Sequence, residues 1–544
     1  MREMGSIGLR CVQACHRLSL TPARNRFAYA LRECEAVQTG RLNALIKANA
    51  GTAYGRLHGF PSITSLREWQ DRVPIVTYDE LQPWVQRAAM GEASVLTAEP
   101  IRIFERTGGS TAANKLIPYT ASLLREFAAA TGPWLHDLHV SVPELRGTTS
   151  YWSISPATRQ AERTAGGIPV GFDDDTGYFG ILERLALRRM MAVPGEVARL
   201  RDMEAWARAT VRHLAAAEDL GLISVWHPSF FVLLLRRIEA DLDECLSGVS
   251  PRRAAAVRSR LRNKTLGEAL WPRLALVSCW ADGAAASAVD ALMRYLPHAR
   301  LQPKGLLATE GVVSFPLHEA GQTGSVAAVA GHFLEFLDLD NPSTRPRLAH
   351  ELRPGGAYAP LLSTGGGFYR YRLGDAVRCT GFHGQAPLLR FEGRIDQVSD
   401  LCGEKLNPRM VAAAIACAER ASDSAFAFAL LAPAAGNPPH YRFFAETGMG
   451  SGRMDEGKWM NACRALEDAL CESHGYCYAR SLGQLGPVCG VAVRDGAARY
   501  LLARTAAGQR SGDVKPSCLD GSRDWSEVFT EVLQSEVRLA EAGT

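Results

Sequence analysis

The feature that most constrains the fold of this chain is an alternation of strand-like and helix-like segments between Trp134 and Pro303. Short strand candidates are separated there by helical patterns, one of which runs from Met203 to Leu220. A further helix is predicted after His227, with Ser229 as its N-cap. Strands that alternate with helices predict an α/β protein built from layered sheets and covering helices.

The two ends of the chain have their own patterns. Near the N-terminus, helices are predicted over 41–50 and 66–72 and strands over 101–104 and 115–119. From residue 396 onward the pattern is typical of a compact α+β unit, with helices predicted over 408–420 and 458–473 and strands over 426–431, 441–445, 488–493 and 500–503. We therefore expect two domains, a large body over residues 1–395 and a smaller domain over residues 396–544.

Composition and charge exclude several classes of protein. Of the 544 residues, 47% are hydrophobic and 22% charged, which excludes collagen-like, coiled-coil and largely disordered chains. A net charge of +4 is too small for a dedicated nucleic-acid binder. The apolar runs fall short of the roughly 20 residues that cross a bilayer, and the N-terminus lacks the apolar core of a secretory signal. We expect a cytoplasmic protein without nucleic-acid or membrane partners, whose thirteen cysteines are reduced.

The strongest local signal is the loop between the strands predicted over 101–104 and 115–119. Its glycines let the backbone approach a ligand, and its hydroxyls and final ammonium are groups that bind polyphosphate oxygens; the candidates are Gly109, Ser110, Thr111 and Lys115. A turn without a ligand is the competing interpretation. The loop is not a Walker A motif, because Asn114 stands where that motif has a glycine before its lysine.

The same loop carries half of the nucleophile-elbow pattern of hydrolases, Gly108-x-Ser110. That pattern needs a glycine at position 112, which is alanine here, and a helix directly after the serine. Pro118 opposes a helix interior at this point, so a hydrolase is the weaker alternative.

Isolated charged residues in three other segments are further candidates for a ligand-binding site. Glu310 follows an apolar run and precedes a glycine, which suits a Mg²⁺ ligand near phosphates, although a solvated carboxylate at a strand end is the simpler interpretation. Arg394 lies in a Gly-Arg-x-Asp turn beside the expected domain boundary. Lys515 lies in a small loop stiffened by a proline, where a lone lysine is usually only solvated.

The segment Tyr369–Asp375 combines tyrosines, arginines and an acidic turn. Strand alternation predicts the arginines on one face and the tyrosines on the other, namely Arg370 and Arg372 against Tyr369 and Tyr371. Asp375 follows Gly374 at a turn, where a carboxylate could accept two hydrogen bonds from a ribose diol. A solvated amphipathic strand with paired charges is the alternative.

Taken in chain order, these segments resemble the signatures of the Gretchen Hagen (GH3) family of acyl-acid amido synthetases, a branch of the adenylate-forming enzymes. Residues 49–60, 73–79 and 91–97 look like its N-terminal signatures. The loop from Thr107 to Lys115 resembles its phosphate loop, Thr309-Glu310 its second nucleotide motif, and Tyr369–Asp375 with the run to Arg394 its third. The resemblance covers nearly the whole chain.

The resemblance implies a large adenylating domain with a smaller α+β lid, and a reaction in two steps. A carboxylic acid attacks the α-phosphorus of ATP, which gives an acyl-adenylate and pyrophosphate. An amine, commonly an amino acid, then displaces AMP and forms an amide. An acyl-CoA ligase that shares the first step and an ATP-binding homologue without catalysis remain the alternatives, the latter because Gly108 stands where the family usually has a hydroxyl.

The resemblance also implies roles for single residues. The phosphates would be held by Gly109, Ser110, Thr111 and Lys115. Glu310, beside Thr309, would bind Mg²⁺, and Asp375 would bind the ribose. Arg394, at the hinge, would contact ribose or phosphate, and Lys515 would reach the α-phosphate when the lid closes. Ser110, Thr111 and Lys515 are thus the implied catalytic residues.

Overall fold

The computed structural model describes residues 2–107, 115–152, 162–171, 189–200, 202–282, 285–321, 323–395, 399–402, 404–447, 455–507, 509, 514, 517–529 and 535–538. The chain divides into two units. The first comprises Met1–Trp226, Leu234–Trp280 and Tyr295–Phe391, and the second comprises His227–Leu233, Ala281–Arg294 and Glu392–Thr544. The domain limits of 1–395 and 396–544 stay a prediction, because this division also assigns two segments of the middle region to the second unit.

Helices occur throughout the described chain. They are α1 (Arg2–Ala30), α2 (Cys34–Asn49), α3 (Ala53–Leu57), α4 (Leu66–Arg72), α5 (Tyr78–Ala89), α6 (Ala121–Ser141), α7 (Met203–Ala216), α8 (Pro228–Ala240), α9 (Leu242–Ser247), α10 (Pro251–Arg260), α11 (Leu266–Leu270), α12 (Ala286–Tyr295), α13 (Pro408–Ser422), α14 (Glu456–Leu470), α15 (His474–Ser481), α16 (Gly496–Ala506) and α17 (Ser526–Phe529). Within the described ranges, none of them has the length and hydrophobicity required to cross a bilayer.

The described strands of the first unit form four sheets. The strands are β1 (Ile103–Thr107), β2 (Lys115–Tyr119), β3 (Thr149–Trp152), β4 (Glu162–Arg163), β5 (Pro169–Val170), β6 (Leu220–Ser224), β7 (Leu276–Cys279), β8 (Arg300–Pro303), β9 (Leu307–Ala308), β10 (Gly311–Val312), β11 (Ser314–Phe315), β12 (Ser325–Ala327), β13 (Phe333–Asp338), β14 (Arg347–Leu348), β15 (Ala357–Ser363), β16 (Tyr371–Arg372), β17 (Asp375–His383) and β18 (Ala386–Arg394), whose last residues belong to the second unit. The sheet orders are β2-β1-β5-β4, β10-β9, β3-β6-β7-β8, and β11-β12-β18-β17-β15-β13-β14 with β16 beside β15.

The sheet β3-β6-β7-β8 is parallel throughout and confirms the α/β interpretation of the alternating region. The predicted helix from Met203 to Leu220 is too long, because Leu220 already pairs with Thr149 in this sheet. Gly221 follows at a point where a Cβ atom would lie 2.2 Å from the Thr148 hydroxyl oxygen. The two strands approach too closely there for a larger residue.

The prediction of Ser229 as the N-cap of the next helix is wrong. Helix α8 begins at Pro228, so Ser229 lies inside its first turn. The imidazole Nδ1 of His227 accepts the backbone N–H of Ser229 at 3.2 Å and lies 2.6 Å from the Ser229 hydroxyl oxygen. The ring of His227 therefore satisfies the terminal N–H group that an N-cap side chain usually accepts.

The second unit contains a four-stranded sheet of order β19-β20-β21-β22, with β19 (Phe426–Ala434), β20 (His440–Thr447), β21 (Cys489–Ala492) and β22 (Ser535–Arg538). Adjacent residues of β20 point to opposite faces, so that Phe443 joins a core with α13 and α14 while Phe444 joins one with α16. The ring of Trp459 in α14 stacks on Phe443 at a centroid distance of 5.7 Å. This arrangement confirms the predicted α+β character.

One strand predicted for this unit, over 500–503, is wrong, since these residues lie in α16. Tyr500 and Arg504 are one helical turn apart and both are buried. The Tyr500 hydroxyl donates to Asp520 at 2.8 Å, and its ring stacks on Trp525 at 4.6 Å. A short run of apolar residues does not distinguish strand from helix by itself, and here the tertiary contacts match the helical period.

A buried ion pair joins the N-terminal helices of the first unit to its largest sheet. The guanidinium Nε of Arg370 donates to Glu335 on β13 at 3.0 Å, and only 3% and 1% of the two side chains is exposed. Arg370 also donates to the backbone carbonyls of Gln70 and Val73 at 2.9 and 2.7 Å. Trp69 and Gln70 donate to the Glu335 carboxylate at 3.2 and 3.0 Å. Hydrogen bonds to both partners offset the desolvation that burying two charges costs.

This pair also explains why the predicted alternation over 369–372 fails. Arg370 has a φ of +48° and interrupts the strand, so only Tyr371–Arg372 forms β16. Tyr369 and Arg370 therefore lie outside a strand, and they are buried together with Tyr371. Val76 donates its N–H to the Arg370 carbonyl at 3.2 Å and accepts that of Arg372 at 2.9 Å. Two stretches of chain about 300 residues apart are thereby held together.

Two imidazoles form a second buried polar contact, between α1 and α6. Nδ1 of His16 lies 3.0 Å from Nε2 of His139. Burial lowers the pKa of His16 from 6.5 to about 4. Burial, together with the charge of a protonated His16, lowers the pKa of His139 to about 3. Both rings are therefore neutral at neutral pH.

We predict that removing one partner of the Arg370–Glu335 pair lowers the free energy of unfolding by about 3 kcal/mol or more, because an uncompensated charge stays buried. Urea unfolding of Glu335→Gln, followed by circular dichroism, measures this. Asp71→Asn is the matched control, because the Asp71–Arg345 pair is just as close, at 2.7 Å, but half-exposed on both sides. Its loss should cost less than about 1 kcal/mol. Equal losses in the two variants would contradict the prediction.

We predict that acidification between pH 6.5 and 4 destabilises the fold through His16 and His139. The pKa values of both histidines in the folded protein lie below the unfolded value of about 6.5. The unfolded chain therefore binds more protons in this window, and the free energy of unfolding decreases as the pH is lowered. Each such proton contributes a slope of up to about 1.4 kcal/mol per pH unit. Unfolding measured across this range should be less steep in His139→Gln than in the unmodified protein. A variant of the exposed His213, His213→Gln, should keep the original slope; a steep slope in both variants would refute the assignment.

Candidate active site

Four side chains from distant parts of the first unit are linked in series, namely those of Tyr371, Glu310, Tyr78 and Lys115. The Tyr371 hydroxyl donates to Glu310 Oε1 at 3.2 Å. The Lys115 ammonium lies 5.5 Å from the centre of the Tyr78 ring. Burial raises the pKa of Tyr78, and the charge of Glu310 raises it further, which places this phenol in the field of the carboxylate. An ammonium, a carboxylate and two phenols therefore share one site.

Thr309 and Glu310 form the turn between β9 and β10, in which Ala308 pairs with Gly311. The Tyr119 hydroxyl donates to the backbone carbonyl of Thr309. Glu310 is 91% buried, whereas Thr309 is half-buried. The sequence correctly places a carboxylate next to an apolar run, but it lies at the tip of a tight hairpin instead of at a strand end open to solvent.

A buried histidine supports this hairpin from below. Nε2 of His332 accepts the N–H of Val312 at 3.0 Å, so its Nδ1 carries the proton and donates to Glu126 at 2.9 Å. The Glu126 carboxylate in turn accepts the N–H of Gly365 at 3.0 Å. At Gly311, a Cβ atom would lie 3.1 Å from the His332 ring, tighter than ordinary contact. These hydrogen bonds thus hold the hairpin, and with it Glu310, in position.

Tyr78 fixes the strand that begins at Lys115. Its hydroxyl accepts the N–H of Leu116 at 2.6 Å and faces the carbonyl of the same residue at 3.4 Å. Tyr78 is the first residue of α5, and the carboxylate of Glu80 accepts the N–H of Thr77 at 2.7 Å just before it. The Val73–Asp79 signature therefore contains a tyrosine whose hydroxyl binds the backbone directly after Lys115, the last residue of the predicted phosphate loop.

Of the other predicted site residues, the structure describes Asp375 and Arg394 and leaves out the remaining four. Asp375 is the first residue of β17 and is buried, and Gly374 before it has a φ of +80°, as a tight turn requires. Arg394 is the half-buried last residue of β18 and belongs to the second unit. The candidates Gly109, Ser110, Thr111 and Lys515 lie outside the described residues, so their roles stay predictions.

Tyr78 and Tyr371 are the residues at this site to which the sequence assigned no role. Tyr371 lay in a recognised motif, but the predicted alternation placed it only on the face opposite the arginines. For Tyr78, the sequence offered only its place at the start of a helix, which Thr77 and Glu80 mark by the spacing of a capping box. Neither phenol could be linked to Glu310 from the sequence, because Glu310 lies about 60 residues from one and 230 from the other.

The donor set around Glu310 fits a hard cation that is shared with a phosphate. In the described part of the chain, no cluster of three or more His, Cys, Asp or Glu side chains could hold a metal alone. Mg²⁺ commonly binds through one carboxylate, phosphate oxygens and water, so a single buried carboxylate beside an ammonium suits a metal–nucleotide complex better than a structural metal. The buried hydroxyl of Tyr371 holds one oxygen of that carboxylate in place.

Two domain models of one protein family match this chain. Residues 23–249 match the model of the GH3 family N-terminal domain, and residues 325–394 match that of the GH3 family central domain. These two regions make up more than half of the chain and include Lys115 and Asp375.

Relatives extend the similarity over nearly the whole length. A probable indole-3-acetic acid-amido synthetase of Oryza sativa is 26% identical over 91% of this chain and 92% of its own. A jasmonoyl–L-amino acid synthetase of Nicotiana attenuata is 22% identical over 84% and 85%. The solved GH3.15 acyl acid amido synthetase in complex with 2,4-DB has the same fold, with a TM-score of 0.83 at 19% identity over 98% of each chain. The chain therefore belongs to the GH3 family of acyl-acid amido synthetases.

Proposed function

We propose that this protein is an ATP-dependent ligase that joins a small carboxylic acid to the amino group of an amino acid. In the first step a carboxylate oxygen bonds to the α-phosphorus of ATP and the bond to the leaving pyrophosphate breaks. In the second step the amine nitrogen bonds to the acyl carbon, the bond to AMP breaks, and the amine loses a proton. The names of the relatives, which join indole-3-acetic acid or a jasmonoyl group to amino acids, support this class of substrates.

The observation that carries the proposal is the buried carboxylate of Glu310 in the same site as Lys115. Glu310 would hold Mg²⁺, which would neutralise the charge of the phosphates. Lys115 would bind a phosphate oxygen as a point charge. Both groups come from rigid elements, a hairpin turn and a strand end, so little reorganisation is needed when the nucleotide binds.

Further residues are assigned roles as part of the same proposal. Asp375 would accept hydrogen bonds from the ribose, and Arg394 would contact ribose or phosphate. The loop residues Gly109, Ser110 and Thr111 would surround the phosphates. Lys515 would approach the α-phosphate and speed adenylation. The chemistry of these groups consists of positioning and charge neutralisation, which are the main contributions to phosphoryl and nucleotidyl transfer.

The proposal is tested by incubating the protein with ATP, Mg²⁺, a panel of carboxylic acids and hydroxylamine. We expect acid-dependent release of pyrophosphate together with a hydroxamate, and with amino acids in place of hydroxylamine we expect an amide and AMP. Consumption of the adenylate by coenzyme A but not by amino acids would identify the acyl-CoA ligase instead. Nucleotide binding in calorimetry without pyrophosphate release across the panel would identify a homologue without catalysis.

We predict that Glu310→Gln and Asp375→Asn affect different kinetic parameters. Glu310→Gln should lower kcat at least about 100-fold and raise the Mg²⁺ concentration needed for half-maximal rate, because charge stabilisation in the transition state is lost. Asp375→Asn should mainly raise KM for ATP, since it weakens ribose binding in ground and transition states alike. Initial rates over a matrix of ATP and Mg²⁺ concentrations separate the two effects.

The matched control for this pair is Asp71→Asn, a change at a half-exposed carboxylate of the first unit. It should leave kcat, KM for ATP and the Mg²⁺ requirement unchanged. If Glu310→Gln and Asp375→Asn instead shift KM for ATP equally and leave the Mg²⁺ requirement unchanged, the division of roles is wrong.

A further inference from the structure

Helix α6 carries a carboxylate that contacts two separate segments of the candidate active site. Glu126 lies in the second turn of this helix, and 17% of its side chain is exposed. Both of its carboxylate oxygens lie 3.0 Å from the backbone nitrogen of Gly365, whose N–H they accept. The same carboxylate accepts the Nδ1 proton of His332 at 2.9 Å. One side chain on a regular helix therefore binds groups from two different parts of the chain.

The histidine connects this carboxylate to the hairpin that carries Glu310. The side chain of His332 is fully buried, and its Nε2 accepts the N–H of Val312, the second residue of β10, at 3.0 Å. The edge of its ring contacts Phe127, the neighbour of Glu126, at a centroid distance of 5.6 Å. A neutral imidazole has one nitrogen that donates and one that accepts, so a single tautomer satisfies both contacts.

The contact with Gly365 acts on the other side of the site. Gly365 lies between β15 and β16, in the segment that leads to Tyr371. Its carbonyl accepts the hydroxyl of Thr120, the N-cap of α6, at 2.8 Å. A Cβ atom at this position would lie 2.6 Å from the Cβ atom of Ser122, so glycine is required for so close an approach to the helix. The start of α6 therefore fixes the segment from which Tyr371 extends.

The two contacts of Glu126 converge on the hydrogen bond between Tyr371 and Glu310. Val312 lies two residues after Glu310, and Gly365 lies six residues before Tyr371. The Tyr371 hydroxyl then donates to Glu310 Oε1 at 3.2 Å. The hairpin, the glycine-containing segment and α6 are thus joined in a closed ring of contacts. Hydrogen bonds that form a network in a buried environment support one another.

We propose that Glu126 and His332 are positioning residues that set the affinity of the Glu310 carboxylate for the metal–nucleotide complex. His332 holds the hairpin behind Glu310, and Glu126 keeps this hairpin in register with the segment that carries Tyr371. Both act through the backbone that they bind, so they need no contact with the nucleotide. Loss of a group that orients a metal ligand commonly lowers metal affinity 10- to 100-fold. This inference rests on the proposed function, in which Glu310 binds Mg²⁺.

The competing explanation is that these contacts only stabilise the fold. Loss of any buried hydrogen bond lowers stability, so a lower stability by itself does not distinguish the two explanations. Two measurements do distinguish them. One follows the two segments directly, without nucleotide or metal, and the other follows the dependence of ATP binding on Mg²⁺.

The first measurement is hydrogen–deuterium exchange, followed by mass spectrometry of the peptides that span 307–313 and 363–372. His332→Leu removes both ring-nitrogen contacts at similar volume. We expect at least about fivefold faster exchange in both peptides, because the N–H of Val312 loses its acceptor and the carboxylate that binds Gly365 loses the donor that orients it. His332→Gln, whose amide offers an acceptor and a donor, should restore most of the protection.

The second measurement is calorimetric titration with ATP, in Mg²⁺ and in EDTA. The gain in ATP affinity that Mg²⁺ provides should fall at least about tenfold in His332→Leu, while the affinity in EDTA stays within about twofold. The matched control is His139→Leu. His139 lies on the same helix, but its contact at 3.0 Å is with His16, which joins α6 to α1 instead of to the hairpin. This control should lower stability and leave both the Mg²⁺-dependent gain and the exchange of the two peptides unchanged.

A second variant covers the case in which His332→Leu does not fold. In Glu126→Gln an amide nitrogen replaces one carboxylate oxygen, so that a donor faces the N–H of Gly365 or the Nδ1 proton of His332. Both effects should appear in the same direction. Faster exchange in only one peptide, or an unchanged Mg²⁺-dependent gain, would overturn the inference and leave the proposed function intact. If Mg²⁺ does not affect ATP binding by the unmodified protein, the metal role of Glu310 is refuted, and the proposed function and the inference both fail.

Discussion

The buried pair of Arg370 and Glu335 is the interaction on which the geometry of the first unit depends. Arg370 has a left-handed backbone conformation, which a non-glycine residue keeps only when its surroundings hold it there. The carboxylate of Glu335 and the carbonyls of Gln70 and Val73 supply that restraint. Because the next residue is Tyr371, the same restraint fixes the phenol that donates to Glu310. A structural ion pair therefore determines the position of a group in the active site.

The active site shows how a buried carboxylate can be held ready for a cation. One oxygen of Glu310 accepts the Tyr371 hydroxyl, and the hairpin beneath it is held by Tyr119 and by the His332–Glu126 pair. Each of these contacts joins elements that are far apart in the chain. Preorganisation of this kind keeps a charged group in place before a ligand binds, which is the form of stabilisation that contributes most to electrostatic catalysis.

Much of the secondary structure could be predicted from the sequence, and two of the failures share one cause. The helix over 66–72 and the strand over 115–119 were predicted with their observed limits, since capping residues, proline and local apolar spacing define them. The segment 500–503 was predicted as a strand but lies in a helix, and the tyrosines and arginines of 369–372 do not alternate. In both places contacts from distant elements, with Asp520 and Glu335 respectively, outweigh the local preference.

The sequence by itself determined the class of the fold, the family and the chemistry of most candidate groups, because these depend on residue types and on the order of motifs along the chain. It also identified Lys115, Glu310 and Asp375 without any contact between them being known. Only the tertiary structure decided that Tyr371 contacts Glu310, that Tyr78 lies within the electrostatic influence of Glu310, and that Arg370 is buried. It also decided that the Lys304 ammonium lies over the rings of three tryptophans. The physical reason is that the strands of a parallel sheet, and the helices that cover it, join residues separated by up to 170 positions between Trp134 and Lys304. No local pattern records such contacts.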